Sequence, residues 1–357
     1  VRTAHHLDTA LLDLDSAWSA SGVGGSLFLR DDLYHPNAAG HADWAARLVP
    51  VIASLPGFSP AAPVVRDQGD AIPLRFGYSA MTNLLVHLGT VFSRTDILEE
   101  AGFSASMTVF QRGDAQASAL ARQDIDATFT SGLATLVNLH QLPGLRVVAS
   151  VGPVGRLGLV VPRTGSVRAA AELRGARVGL VPMSSADYGL WRLLRPAGMT
   201  ESDVEIVTME HTRQAVEHAF RKHEIAAAVI WDPLLEALLE EGSGRLVTAE
   251  PYHGHLVMAG EYLDRYPGAA GNIRRALAAA FAFMASQPVA VQTWAAAASG
   301  WRPELFTPLL AANDRISNAR TGQAIDPEMT DDEKQWLRDA ADWYEYRTGE
   351  RIAPGGW

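Results

Sequence analysis

The chain has 357 residues, of which 48% are hydrophobic and 20% charged, a composition typical of folded globular proteins. Its 40 acidic and 30 basic residues give a formal net charge of -10, and no run of Lys or Arg forms the basic stripe that nucleic acids require. The absence of cysteine excludes disulfides, thiolate metal sites and a cysteine nucleophile.

The beginning of the chain and its longest uncharged stretch bear on localisation. No secretory signal is recognisable from Val1 onward, so we expect either a cytoplasmic protein or an extracytoplasmic one whose signal lies upstream. Residues 276–300 are uncharged but rich in alanine and interrupted by Gln287, Pro288 and Gln292. This pattern predicts buried helices rather than a transmembrane segment.

Three regions follow one another along the chain. Residues 1–56 carry a predicted helix at 38–52, whose apolar residues recur at three- and four-residue spacing. Residues 57–73 hold several prolines and little periodicity, which predicts a linker. Residues 74–357 are patterned again and form the predicted second domain.

Strands and helices alternate after the linker. Strands are predicted at 74–78, 106–111, 125–130 and 145–151, with a helix ending near Glu100 and another at 115–122. A second round has strands at 157–162, 177–182, 204–209 and 225–232, with helices at 169–173, from Ser185 to Leu194 and at 213–222. The alternation predicts an α/β protein with a largely parallel sheet, and its repetition predicts two similar lobes.

The last part of the chain, from Tyr262 onward, is predicted to be rich in helices. Residues 330–347 form an amphipathic helix, with Thr330 as N-cap and Glu333 three residues later. This spacing predicts a capping box.

The segment RDDLYHPNAAGHADWA (30–45) is the first motif with a chemical interpretation. Asp32 and His35 are one turn apart, so the carboxylate could orient the imidazole; the alternative is a capped turn. The segment resembles the last sequence block of SGNH (GDSL-type) hydrolases, which implies catalytic roles for Asp32 and His35. The family's serine and oxyanion-hole residues lie upstream of this block, and nothing before Asp32 resembles them. We therefore expect an inactive partial hydrolase.

Serines and aromatic residues at strand ends are the candidate ligand-binding residues. Ser184 and Ser185 begin a helix after a strand, and Ser131 and Gly132 do the same after the third strand, so the free N–H groups of both helices could bind ligand oxygens. Simple capping without a ligand is the alternative. Asp187, in the first helical turn, favours a ligand with amine or amide donors. The remaining candidates follow the first strand or end a later one: Tyr78, Ser79, Met81, Thr82, Trp231 and Asp232.

The other interpretations concern packing and metal binding. Trp231 could stack on a ligand ring or only pack between the lobes. His253 and His255 could share one face of a strand, but without a convincing third ligand we expect no metal site and no cofactor. His211, His218 and His223 are predicted to be solvated or at the edge of the core.

Residues 72–352 resemble solute-binding proteins of ABC importers for nitrate, sulfonates, taurine and thiamine-precursor pyrimidines. The resemblance rests on four segments in a fixed order: IPLRFGY, FQRGDAQASALARQDIDATFTSG, SVRAAAELRGARVGLVPMSS and HEIAAAVIWDP. It implies a two-lobed periplasmic-binding-protein-like fold (type II), a small polar ligand in the cleft between the lobes, and importer membrane subunits as partners. It also implies an extracytoplasmic location if a signal lies upstream.

Two alternatives to a simple binding protein follow from the same resemblances. One is an enzyme on this fold, similar to the pyrimidine-forming enzymes of thiamine synthesis, for which His87 is the candidate histidine near the first strand. The other is a bifunctional protein whose hydrolase nucleophile lies upstream.

Overall fold

The computed structural model of the protein describes residues 71–80 and 83–352. All of them belong to one compact unit, Asp70–Trp357. The predicted helix at 38–52, the hydrolase-like block with Asp32 and His35, and the candidates Met81 and Thr82 lie outside the described residues. The division into domains at 1–56, 57–73 and 74–357 stays a prediction.

Eight strands of the described chain form one mixed sheet, in the order β2-β1-β3-β8-β4-β7-β5-β6. They are β1 (Ile72–Ser79), β2 (Phe103–Phe110), β3 (Ala127–Ser131), β4 (Leu145–Pro162), β5 (Arg177–Leu180), β6 (Glu205–Thr208), β7 (Ala227–Trp231) and β8 (Gly244–Ala259).

Helices connect these strands and make up the C-terminal part of the described chain. They are α1 (Leu85–Arg94), α2 (Ile97–Glu100), α3 (Gly113–Ala121), α4 (Leu133–Gln141), α5 (Ser185–Leu194), α6 (Arg213–Arg221), α7 (Leu234–Glu240), α8 (Gly260–Arg265), α9 (Ala269–Ser286), α10 (Pro288–Ser299), α11 (Thr307–Ala312), α12 (Asp314–Thr321) and α13 (Asp331–Thr348). The predicted helix at 169–173 is a 3₁₀ turn, Ala170–Leu173.

The sheet has two lobes joined by two long strands. In lobe one, β1 pairs in parallel with β2 and β3, and in lobe two β5 pairs in parallel with β6 and β7. β4 and β8 are antiparallel to each other along 145–162 and 244–259, so each runs through both lobes. The α/β, two-lobed periplasmic-binding-protein-like fold expected from the sequence is therefore confirmed.

Two details of the sheet differ from the prediction. The strands expected at 145–151 and 157–162 are one strand, and β8 was not predicted at all. Gly152, Pro153 and Gly155 lie at shifts in the β4–β8 register, where a bulge accommodates residues that normally interrupt a strand. Because β8 is antiparallel to both β3 and β4, the sheet is mixed rather than largely parallel.

Local sequence signals define several helix ends as expected. Ser184 is the N-cap of α5, and its Oγ accepts a hydrogen bond from Ala186 N at 3.1 Å. At α13, Thr330 Oγ1 accepts from Glu333 N, while Glu333 Oε2 accepts from Thr330 N at 2.7 Å. The predicted capping box is therefore confirmed.

The C-terminal helix α13 contacts both lobes. Its Tyr344 lies 5.9 Å from the ring of His140 in α4, and its Trp336 packs edge-on against Tyr188 of α5 at 4.9 Å between centroids. Trp343 is fully buried and donates from Nε1 to Glu201 Oε1 at 3.2 Å. α13 thus connects the helix after β3 with the helix after β5.

No single helix among residues 71–80 and 83–352 is long and apolar enough to cross a membrane. α9 and α10 reach the required length and apolar composition only when taken together, and the two helices are bent by 106° at the break between them.

Candidate functional site

The turns after β3 and β5 meet at the boundary of the two lobes. Leu133 N, in the first turn of α4, donates to Ser185 Oγ, in the first turn of α5, at 3.1 Å. Gly132 has a φ of +53°, and a Cβ at this position would lie 2.5 Å from Ser185 Oγ. The close approach therefore requires glycine at position 132. We call this junction of Ser131, Gly132, Ser184 and Ser185 the lobe seam.

The two serines after β5 have different roles. Ser184 Oγ caps its own helix and donates to Val181 O at 2.6 Å, so its hydrogen bonds stay within the turn. Ser185 instead reaches across to the other lobe. Of the two serines, only Ser185 bonds the opposite lobe, so a ligand between the lobes could replace its bond with Leu133 N.

Asn83 is a member of the seam that sequence reasoning missed. It is 1% exposed and has a φ of 45°, a conformation that Asn tolerates better than most residues. Its Nδ2 donates to Tyr252 Oη at 3.1 Å and to Ser131 Oγ at 3.4 Å, and its Oδ1 accepts from Leu85 N. Asn83 thereby ties the turn after β1 to the turn after β3 and to β8. Burial raises the pKa of Tyr252, which keeps this phenol neutral.

The two described candidates at the end of β1, Tyr78 and Ser79, lie in different environments. Tyr78 is 4% exposed and packs so closely on α1 that a Cβ at Gly89 would lie 2.1 Å from its ring. Ser79 is half-buried at the end of the strand. Tyr78 therefore belongs to the core of lobe one, and its contact with a ligand stays a prediction.

Asp187 supports the turn before α5. The carboxylate is fully buried, and its Oδ2 accepts from Met183 N at 2.9 Å and lies 3.6 Å from Arg347 Nη2. It thus holds Met183, 42% exposed and at a φ of 55°, in a strained conformation. Arg347 partly offsets its charge, but Asp187 Oδ1 has no hydrogen-bond partner in the described structure, so the preference for a ligand with amine or amide donors stays a prediction.

Trp231 stacks on His211 at the carboxyl ends of β7 and β6. The ring centroids are 3.6 Å apart, and Trp231 N donates to His211 Nε2 at 3.2 Å. Burial lowers the pKa of His211 to about 3, so the imidazole is neutral. The sequence placed His211 at the edge of the core or in solvent and gave no sign of this pairing.

The carboxylate of Asp232 is occupied by Arg156. Asp232 is fully buried, and it accepts from the backbone N, Nε and Nη2 of Arg156 at 2.9, 2.8 and 2.9 Å. Glu236 accepts from Arg156 Nη2 as well. These carboxylates raise the pKa of Arg156, although burial opposes them. Asp232 therefore anchors the turn after β7 to β4, and direct ligand binding by it stays a prediction.

The histidines named in the sequence are buried to different extents. His87 is fully buried in α1, 4.6 Å from the ring of Phe306, and burial lowers its pKa to about 3. His253 and His255 lie on β8, and His255 Nδ1 is 3.0 Å from Thr135 Oγ1. Among the residues that the structure describes, no group of three His, Asp or Glu side chains could hold a metal ion.

The seam joins two positive helix ends. α4 has 9 residues and α5 has 10, and both begin at the contact between Leu133 and Ser185. The macrodipole of each helix favours an anion at this end, where Leu133 N and Ala186 N now donate to serine Oγ atoms. The arrangement can therefore bind an oxyanion between the lobes without any catalytic group.

A family model described as "ABC transporter, phosphonate, periplasmic substrate-binding protein" matches residues 94–302. A curated binding protein of Brucella abortus is 28% identical to the chain over 180 residues, which is 50% of this chain and 54% of that protein. The alignment thus spans about half the length of the curated relatives that the chain matches.

Solved structures share the fold over most of the chain. The periplasmic aliphatic sulphonate binding protein SsuA of Escherichia coli has a TM-score of 0.65 at 20% identity, covering 79% of this chain and 95% of its own. The alkanesulfonate-binding protein SsuA of Xanthomonas axonopodis pv. citri, bound to MOPS, has a TM-score of 0.59 at 20% identity, covering 77% and 93%. The desulfurization enzyme DSZB has a TM-score of 0.58 at 17% identity, covering 79% and 94%.

Proposed function

Because the chain belongs to the family of periplasmic substrate-binding proteins of phosphonate ABC transporters, we propose that it binds a small sulfonate or phosphonate at the lobe seam for import. The observation that carries the proposal is the hydrogen bond from Leu133 N to Ser185 Oγ, 3.1 Å long, which joins the first turns of two helices in opposite lobes. An oxyanion at this position accepts hydrogen bonds from both helix ends at once.

Ligand binding at the seam would be linked to the opening and closing of the two lobes. β4 and β8 connect the lobes, and their register shifts near Gly152 and Gly155 lie between the two lobes. Opening the lobes breaks the bond between Leu133 and Ser185, and an oxyanion restores the lost interactions on closing. The ligand therefore favours the closed form, as expected for two-lobed binding proteins.

The choice of ligand class follows from the electrostatics of the seam. Two converging helix N-termini favour an anion, and the negative charge of Asp187 is partly offset by Arg347, whose Nη2 lies 3.6 Å from Asp187 Oδ2. Of the other classes suggested by the sequence, aminopyrimidines offer no oxyanion and taurine adds a cation; nitrate has as many oxygens as a sulfonate, but the matched family and the sulfonate-binding structures name phosphonates and sulfonates. We therefore rank alkylsulfonates and alkylphosphonates above them.

The partners and the location follow from the family. We propose that the protein delivers its ligand to the membrane subunits of an ABC importer and acts outside the cytoplasm. The titratable groups of the seam need not change their protonation for this role.

Calorimetric titration of the full chain tests the proposal. We expect ethanesulfonate or methylphosphonate to bind, and a ligand at 100 times its Kd to stabilise the fold by about 2.7 kcal/mol. Ser185→Ala should weaken binding roughly tenfold, because one buried hydrogen bond contributes about 1.5 kcal/mol. Ser202→Ala, an exposed serine of lobe two, is the matched control. Unchanged affinity in Ser185→Ala contradicts binding at the seam.

An enzyme is the second candidate, because DSZB shares the fold. That likeness concerns the fold alone, and the 357 residues contain no cysteine nucleophile. His87, the histidine suggested for a pyrimidine-forming activity, packs against Phe306 and is fully buried. These observations favour binding without chemistry. A bifunctional protein that uses Asp32 and His35 in a hydrolase stays a prediction.

A further inference from the structure

The C-terminal helix α13 contacts the two lobes with two neighbouring faces. Trp336, Trp343 and Arg347 recur at intervals of seven and four residues, so they lie on one face of the helix. Glu333 and Tyr344 lie about 60 to 80° further around it, because each residue turns an α-helix by about 100°. The first face contacts lobe two, and the second contacts lobe one. α13 is therefore a third connection between the lobes, besides β4 and β8.

The face of α13 on lobe two is aromatic and buried. Tyr188 of α5 packs edge-on against Trp336 at 4.9 Å between centroids, and it lies 5.6 Å from the ring of Trp343. Trp343 is fully buried, and its Nε1 donates to Glu201 Oε1 at 3.2 Å. Packed aromatic rings and a buried indole hydrogen bond thus attach the helix to lobe two.

Arg347 connects the same face of α13 to the start of α5. Its Nη2 lies 3.6 Å from Oδ2 of Asp187, which is fully buried in the first turn of that helix. Ser185 lies in the same turn, and its Oγ accepts from Leu133 N of lobe one. The helix is therefore attached to the element of lobe two that forms the seam.

The face of α13 on lobe one makes a buried contact at the hinge and a more exposed one along α4. At the start of α13, Glu333 is 2% exposed and accepts from Ser150 of β4, at one of the register shifts of the β4–β8 pair. Near its end, Tyr344 lies 5.9 Å from the ring of His140. His140 Nε2 is also 3.5 Å from Glu350 Oε2, but these side chains are 28% and 65% exposed. We expect the contacts of His140 to break first when the lobes separate.

We propose that α13 is a strap that stabilises the closed form of the lobes and releases α4 when they open. The start of the helix stays at the hinge through Ser150, and its aromatic face stays on lobe two. The contacts of His140 with Tyr344 and Glu350 are the part of the strap that breaks. The strap acts on the lobes themselves, whichever ligand enters, so it sets how often the seam is open to one.

Spin labels on the two lobes measure this equilibrium in the full chain without added ligand. The chain has no cysteine, so Ser118→Cys on α3 and Gln214→Cys on α6 introduce the only two thiols, both at exposed positions. We expect pulsed electron paramagnetic resonance to give one short distance between the labels in this parent. His140→Ala and Tyr344→Ala should each add a longer distance. The ratio of open to closed molecules should rise about tenfold, because each variant removes the aromatic contact between α13 and α4.

Two further variants separate release of the strap from a general loosening of the fold. Tyr346→Ala is the matched control, because Tyr346 lies on the same helix but is 67% exposed. Tyr344→Phe keeps the ring on His140, so both variants should retain the short distance. Circular dichroism checks that each chain is folded, and His140→Ala decides if Tyr344→Ala is not, because the His140 side chain is partly exposed.

Three results overturn the proposal. They are an unchanged distance in His140→Ala, a longer distance that already dominates in the parent, and a longer distance that appears equally in Tyr346→Ala. Because no ligand is added, failure of sulfonate binding at the seam does not affect this measurement. The strap and the proposed ligand site are therefore tested independently.

Discussion

The indole of Trp231 lies parallel to the imidazole of His211, with ring centroids 3.6 Å apart and planes inclined by 10°. Trp231 N also donates to His211 Nε2, so that nitrogen must be unprotonated. Burial favours the same neutral form and lowers the pKa of His211 to about 3. The stack therefore depends on pH.

We expect His211 to make the fold less stable in acid. Between about pH 6.5 and pH 3 the unfolded chain binds a proton at this position that the folded chain does not, so the free energy of unfolding falls as the pH falls. His211→Phe keeps a flat ring on Trp231 and removes this proton. The variant should reduce the slope of stability against pH by up to about 1.4 kcal/mol per pH unit, measured by urea unfolding at pH 7, 6, 5 and 4.

The matched control is His218→Phe, because His218 is exposed on α6 and its substitution removes no buried imidazole. His87 and His255, whose pKa values burial also lowers to about 3, keep a residual slope in both variants. If His211→Phe and the wild-type chain lose stability in parallel, His211 is accessible to protons in the folded state.

Asp232→Asn should strongly destabilise lobe two. The carboxylate is fully buried and accepts three hydrogen bonds from Arg156, so the substitution leaves a half-buried guanidinium with Glu236 as its remaining acidic partner. Removing one partner of a buried ion pair costs about 3 kcal/mol. Urea unfolding at pH 7 measures this cost directly.

Asp114→Asn is the control for the loss of an ion pair as such. Arg112 and Asp114 also form a close pair, but their side chains are 77% and 63% exposed. Exposed pairs contribute about 0–1 kcal/mol, so this variant should unfold almost like the wild type. Equal losses in the two variants would mean that burial does not set the contribution of Asp232.

The parts of the fold that were predictable depend on local signals. The alternation of strands and helices, Ser184 as a helix cap and the capping box of Thr330 and Glu333 all follow from neighbouring residues. These signals were enough to identify two lobes and the turns that end β3 and β5. Because the carboxyl ends of parallel strands carry ligand sites, the seam could be anticipated as well.

The parts that were missed depend on contacts between distant residues. β8 contains Pro251 and Gly254, which in the sequence alone predict the end of a strand. In the structure they pair with β4 across bulges, so the strand continues. Asn83 gains its role from Tyr252, 169 positions away, and Asp232 from Arg156, 76 positions away. No periodicity in a single sequence encodes these pairs.

Glu333→Gln should cost more stability than a helix cap alone. The carboxylate caps α13, accepts from Ser150 and lies 3.6 Å from the buried Arg315, so its neutralisation weakens three interactions at once. A cap contributes about 1 kcal/mol, and the loss of a buried charge that accepts from Ser150 and faces Arg315, which keeps Asp314 as its other partner at 3.0 Å, adds about 2 kcal/mol. We expect a loss of about 3 kcal/mol in urea unfolding.

Asp331→Asn provides the comparison for Glu333→Gln, because Asp331 begins the same helix but is 99% exposed. Its loss removes a favourable charge near the helix N-terminus and an exposed ion pair with Lys334, together about 0.5 kcal/mol. A similar small loss in Glu333→Gln would show that the network with Ser150 does not stabilise the hinge.

Gly132→Ala should both destabilise the fold and weaken ligand binding at the seam. The position has a φ of +53°, and the added Cβ would lie 2.5 Å from Ser185 Oγ. Strain of this kind costs about 1–3 kcal/mol. Gly198→Ala separates the two causes, since Gly198 has a φ of +66° with nothing within 4 Å of its Cβ. The control measures the backbone strain, about 1 kcal/mol, and the excess in Gly132→Ala measures the clash across the lobes.

A double-mutant cycle then locates that clash. If Ser185 is the group that the added methyl group meets, Gly132→Ala should cost less in a Ser185→Ala background, with a coupling of about 0.5–3 kcal/mol. The paired Gly198→Ala cycle should show none, because that glycine has no contact with Ser185. Additive losses in the first cycle mean that the lobes stand apart at this point in solution. The hydrogen bond from Leu133 N to Ser185 Oγ would then form only in the closed state.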